Sequence, residues 1–211
     1  WDIQSSDVVI QSSLVGINDG SIRIHAMNPG EGGDLGADID LHTDLVSSAG
    51  STASSNGTGD LWLIAEGVLN IRDSAEFKGQ WDVDREATEG GYVREAAWVR
   101  PGAHLALVAD NIYNHTHADS NQVDTSVGRL TIYTRDEGDQ AGSEIHVSEA
   151  DDVSIVYQGG LGNDGIGAAL SSAHGTIEVT AQGADARLTL ESGDLHARTE
   201  GKLVRLSADD F

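Results

Sequence analysis

Apolar and polar residues alternate along this chain in short bursts, and a glycine opens most of them. The pattern is plain in Gly20-Ser-Ile-Arg-Ile-His-Ala26, Gly59-Asp-Leu-Trp-Leu-Ile-Ala65, Gly67-Val-Leu-Asn-Ile-Arg-Asp73 and Gly128-Arg-Leu-Thr-Ile-Tyr-Thr134. It returns in Gly175-Thr-Ile-Glu-Val-Thr-Ala181, Gly193-Asp-Leu-His-Ala-Arg-Thr199 and Gly201-Lys-Leu-Val-Arg-Leu-Ser207. A period of two predicts a strand with one face buried and the other wet. Glycine at each boundary gives the backbone the freedom that a tight corner demands. Positions 61, 63, 65, 67, 69 and 71 are all apolar or small, so one inward face runs unbroken through Gly67. No segment sustains a helical period, which excludes a helix bundle. A sandwich is less apt, because it needs longer turn-rich connections and more large residues inside.

The pattern divides the chain. Residues 1–46 form an N-terminal β segment with strands expected at 7–11, 22–26 and 39–43. Residues 47–58 hold no large side chain and make a Gly/Ser-rich loop. A pair of β-repeats at 59–75 precedes an irregular middle segment at 76–127, where a helical turn is expected at 94–98 and alternation resumes at 104–108. A β segment at 128–158, a glycine-rich loop at 159–174 and C-terminal octad repeats at 175–211 complete it.

Composition narrows the class. Leu, Ile, Val and Phe number 17, 14, 16 and 2. That is little oily surface for a charged chain, so the core is expected to be thin or shared between copies. A net charge of −23 argues against nucleic acid and anionic membrane as partners. Asp outnumbers Glu, and Lys78 and Lys202 are the only lysines, a texture seen in proteins of salt-loving hosts. There is no cysteine, hence neither disulfide nor thiol chemistry. No apolar run is long enough for a membrane-spanning helix. No leader is visible, and a start at Trp1 is what a processed chain or a part of a longer one would show.

The octads at 175–207 and the pair at 59–74 resemble the trimeric β-helical spikes and fibres of tailed viruses, related to contractile-tail central spikes and secretion-system needle proteins. The resemblance implies an all-β, elongated β-helix or β-prism, an intertwined or laterally associated homotrimer in which thin apolar faces close on one another. It also implies a structural virion protein of a tail spike, fibre or other host-attachment appendage, located on the virion. Its partners would be itself, other virion proteins and a host surface glycan or protein. A glycan- or receptor-binding adhesin module on a monomeric β-solenoid or sandwich is the alternative. A polysaccharide depolymerase spike is the third reading.

Candidate chemistry is sparse. His115 and His117 lie two apart, so on a strand both imidazoles project from one face. In the resembled family an axial His-x-His holds iron or another transition metal, and a trimer of this chain would bring six imidazoles together. Two solvent-facing histidines in a polar loop is the plain alternative. His25, His42, His146 and His196 occupy outward spacer positions and read as surface groups. Trp62 is likewise outward, suited to stacking on a sugar, to contacting a partner protein or to packing under the neighbouring Gly/Ser-rich loop. Trp81 and Trp98, in the irregular segment, are the expected recognition residues. The acidic clusters at 82–84, 136–139 and 149–152 read as solvated, and 162–165 lacks the ligand order of a calcium loop. No nucleophile elbow, phosphate-cradling loop or picked-out carboxylate pair is present, so the chain is not expected to be an enzyme.

Overall fold

The computed structural model describes residues 1–5, 7–12, 14–16, 20–27, 36–47, 59–72, 75, 77–78, 103–115, 122–134, 144–149, 153–159, 161, 169–172, 176–181, 188–192 and 204–207. Among them there is no helix, and every strand pairing is parallel. Sheet A is ordered β1 (Asp2–Ser5), β4 (Ile22–Ala26), β7 (Asp60–Ala65), β10 (His104–Ala109), β13 (Arg129–Thr134), β15 (Val153–Val156) and β18 (Leu188–Ser192). Sheet B is ordered β2 (Val8–Ile10), β5 (Ile39–Leu41), β8 (Val68–Ile71) and β11 (Asn111–Asn114). Sheet C runs β3 (Leu14–Gly16), β6 (Leu45–Ser47), β9 (Phe77–Lys78), β12 (Gln122–Ser126), β14 (Glu144–Glu149), β17 (Thr176–Ala181) and β19 (Val204–Ser207). The chain visits A, B and C in turn through four rounds, and then visits only A and C among the described residues.

Each visit adds a strand beside the one laid down a round earlier, so inward side chains form columns. Ile22, Leu61, Leu105, Leu130 and Ile155 stack in one column of sheet A, and Ile24, Leu63, Leu107, Ile132 and Leu170 in the next. Ile39, Leu69 and Ile112 stack in sheet B, and Leu45 and Phe77 in sheet C. These residues belong to one continuous core reaching from Val8 to Leu188. Each short strand contributes one inward stripe, and Ala and Thr share the columns with the larger apolar residues.

The phrase repeated in the sequence therefore serves three different sheets. Ile22–Ala26, Asp60–Ala65 and Arg129–Thr134 lie in A, Val68–Ile71 in B, and Thr176–Ala181 in C. Burial alternates through positions 60–71, as the unbroken inward face requires. At the corner between β7 and β8, a Cβ on Gly67 would overlap the Asp38 carboxylate and the Gly36 carbonyl, so only glycine fits.

Part of the segment expected to be irregular is regular: β9, β10, β11 and β12 lie within 76–127. Strand β10 is buried at all six positions, which erases its alternation. Its outward residues Ala106 and Val108 pack with Tyr133 and Leu161 in a second cluster outside sheet A, joined by Trp62 and Ile64. Leu161 belongs to an excursion between β15 and β16 (Leu170–Ser172), both of which pair with β13. Leu161 itself packs on the outer face. The expected helical turn at 94–98 and the loop at 48–58 fall outside the described residues.

Candidate functional site

The outer face of sheet B carries the densest half-exposed polar chemistry. In register across its strands stand Val9, Asp40, Asn70 and Tyr113. Main-chain bonds from His42 to Ile10, Arg72 to Leu41 and His115 to Ile71 carry the ladder one residue further. His42, Arg72 and His115 thereby stand side by side at neighbouring strands. The Arg72 guanidinium donates to Asp40 Oδ1 from Nε at 3.1 Å, and its terminal nitrogen approaches the same oxygen at 3.1 Å. His115 Nε2 lies 2.8 Å from Asn70 Oδ1. An amide oxygen only accepts, so this geometry places the imidazole proton on Nε2. Tyr113 is 36% exposed and Val9 57%.

Of the expected pair His115 and His117, the structure describes His115. β11 ends at Asn114, so His115 sits just beyond the strand, with Nε2 engaged by Asn70. Arg72 lies between His42 and His115, and its fixed positive charge opposes a cation there. Among the described residues no group of three or more His, Asp or Glu is placed to hold a metal ion. His117, the other half of the axial site expected in a trimer, lies outside the described residues, as do Trp81 and Trp98.

A second constellation lies on the outer side of sheet A. Trp62 is held between neighbours: the Arg23 guanidinium sits 4.5 Å over its ring, and His104 meets it edge-on at 5.9 Å. Arg23 also bonds Asp60, whose main-chain N–H donates to Ser21 Oγ at 2.9 Å. One ring face is therefore covered by Arg23, which favours packing over sugar stacking at Trp62. Among the described residues Trp62 packs against the Leu161 cluster and Arg23, and residues 48–58 of the loop lie outside them.

His104 connects strands on this side. Trp62 Nε1 donates toward His104 Nδ1 at 3.4 Å, His104 Nε2 is 2.9 Å from Thr131 Oγ1, and the Thr131 hydroxyl donates to the Val156 carbonyl at 2.6 Å. Indole nitrogen only donates, so Nδ1 accepts and Nε2 carries the proton. The ladder needs neutral imidazole. Burial lowers the His104 pKa from 6.5 to about 4, helped by the positive charge of Arg129 and opposed by Asp60. Arg129 Nε is itself buried without a hydrogen-bond partner.

Sequence reasoning took Glu149 as part of a solvated acidic cluster. It is instead fully buried at the inner end of β14, where Oε2 accepts from Thr125 Oγ1 at 2.7 Å and from Val127 N at 3.0 Å. The only hint was parity with Ile145 and Val147, which also face inward. His146, on the opposite face of the same strand, lies 3.3 Å from Glu178, consistent with a surface role. No family model, curated protein or solved structure matches this chain.

Proposed function

We propose that the chain is a parallel β-solenoid of one chain that acts as a rigid presenting module of an attachment appendage, of the adhesin or spike type, and not as a catalyst. The observation that carries this reading is the repeated A, B, C visiting order, in which successive rounds of the chain pair with one another in parallel. A chain that supplies all three sheets and a continuous core has no need to borrow strands from copies of itself. That favours the single-chain solenoid over the intertwined trimer. Parallel ladders linking each round to the next oppose bending, since a bend must stretch main-chain hydrogen bonds in at least one sheet. The charge of −23 keeps such a module from adhering to nucleic acid or anionic lipid while a specific face engages its target.

Light scattering on the purified chain tests the reading. A particle of 22.1 kDa with the elongated profile of a rod in small-angle scattering supports it. A particle of three times that mass favours the homotrimeric virion rod, with closed coils packed side by side. A compact 22.1 kDa particle rejects both.

A further inference from the structure

We infer that the outer face of sheet B binds an extended segment of a neutral, hydroxyl-rich polysaccharide, lying across the strands. The inference rests on the presenting-module reading and names the ligand that this module would engage. Three features of the face carry it.

The first is order. Asp40 and Arg72 hold one another, as do Asn70 and His115, so four polar side chains are fixed before a ligand arrives. Fixing them in advance reduces the entropy lost on binding. With His115 Nε2 and Asn70 Oδ1 committed to each other, His115 Nδ1 remains an acceptor and the Asn70 amide nitrogen a donor. Sugar hydroxyls, which both donate and accept, match that mixture.

The second is spacing. Neighbouring strands lie about 4.8 Å apart, close to the length of one hexose in an extended chain. Asp40, Asn70 and Tyr113 stand on successive strands, as do His42, Arg72 and His115. Consecutive sugars would therefore meet a fresh pair of side chains at each step. Tyr113, at the end of the row, offers an aromatic surface to the apolar face of a ring.

The third is charge. Asp40 and Arg72 cancel, leaving the face near neutral on a chain of −23. An anionic polymer would be repelled by the surroundings without a net positive patch to hold it. A neutral chain meets no such barrier.

The test titrates the full chain with cellohexaose, mannohexaose and polygalacturonate, followed by calorimetry and by amide chemical shifts. Saturable binding of a neutral hexasaccharide is expected, with shifts centred on Asn70, Arg72, Tyr113 and His115. Tyr113→Ala should weaken it roughly three- to tenfold, with an unchanged circular dichroism spectrum. The inference is overturned if neither neutral hexasaccharide binds, or if polygalacturonate binds more tightly than both. It is equally overturned if the double variant N70A/Y113A binds as well as the parent. Self-association abolished by Tyr113→Asp would reassign the face to contact between copies and also overturn it. Scattering on the same samples separates the two readings: trimeric mass with binding intact rejects the single-chain solenoid alone, and a 22.1 kDa rod without binding rejects the site alone.

Discussion

Lowering the pH from 6.5 to 4 should weaken this fold through His104 more than through any surface histidine. The side chain is 1% exposed, and both ring nitrogens are committed: Nδ1 accepts from Trp62 while Nε2 donates to Thr131. Protonation would place an Nδ1–H against the indole N–H, and a charge in a site that offers it no acceptor. In the unfolded chain the imidazole titrates near 6.5, whereas the folded protein holds it neutral down to about 4. The unfolded state therefore binds a proton first as pH falls. The stabilisation is fully present above pH 6.5 and is lost between 6.5 and about 4. A shift of about 2.5 units at about 1.4 kcal/mol each amounts to roughly 3 kcal/mol. That is a large fraction of the stability of an ordinary domain. The perturbation is His104→Gln, whose amide can still donate to Thr131 but does not titrate. Urea midpoints of the parent and the variant would be measured from pH 4 to 8. Carboxylates contribute equally to both, so the difference between the curves isolates the imidazole. The parent should lose roughly 3 kcal/mol relative to the variant on acidification. A difference that stays constant across that range would refute the neutral buried imidazole. So would nitrogen spectra at pH 7 showing the proton on Nδ1.

Other perturbations follow from the same geometry. Glu149→Ala removes the acceptor of both Thr125 and Val127 and should cost about 2–4 kcal/mol in urea unfolding, while Glu149→Gln, whose carbonyl can accept both bonds, should retain most of it. Gly67→Ala forces Cβ against the Asp38 carboxylate and the Gly36 carbonyl and should cost more than about 1 kcal/mol, read as a lowered thermal midpoint. Leu107→Ala opens a cavity in the central column and should cost about 2–5 kcal/mol by denaturant titration. Val9→Ala, on the exposed face of β2, should stay within about 0.5 kcal/mol.

What the sequence disclosed depended on which face each strand left wet. β4 and β8 alternate because solvent or polar neighbours stand outside them, and β7 because Trp62 and Ile64 only fringe the outer apolar cluster, so their inward residues were legible as such. β10 was muted because a second apolar cluster buries its outer side too, and β11 because Asn111 and Asn114 are polar yet buried. The all-β class followed from the period alone. The visiting order of the three sheets did not, since one phrase serves all three and the assignment depends on pairing between rounds. The polar face of sheet B was legible only in part. His115 stood out by its neighbour His117, but its partner Asn70 is 45 residues away in sequence and no local spacing signals it.

The columns themselves raise a question of register that burial cannot answer. A slip of one residue would turn every inward side chain outward, which the core forbids. A slip of two restores inward parity, and in stacks of Ile and Leu it would cost little. The penalty must come from polar atoms that tolerate no such shift. They sit at the strand edges. Asp7 accepts from the Asp38 main-chain N–H at 3.0 Å, and Asp38 in turn accepts from the Val68 N–H at 2.7 Å. Ser21 accepts from Asp60 N at 2.9 Å, and Arg23 reaches Asp60 on the next strand of sheet A. Each tie joins one round to the next, and a two-residue slip breaks all those on that pair of rounds together. At roughly 1 kcal/mol each, and more where a buried group is left unpaired, a handful suffices to single out one register. The apolar columns supply the drive to collapse, and these few polar ties decide where each round settles.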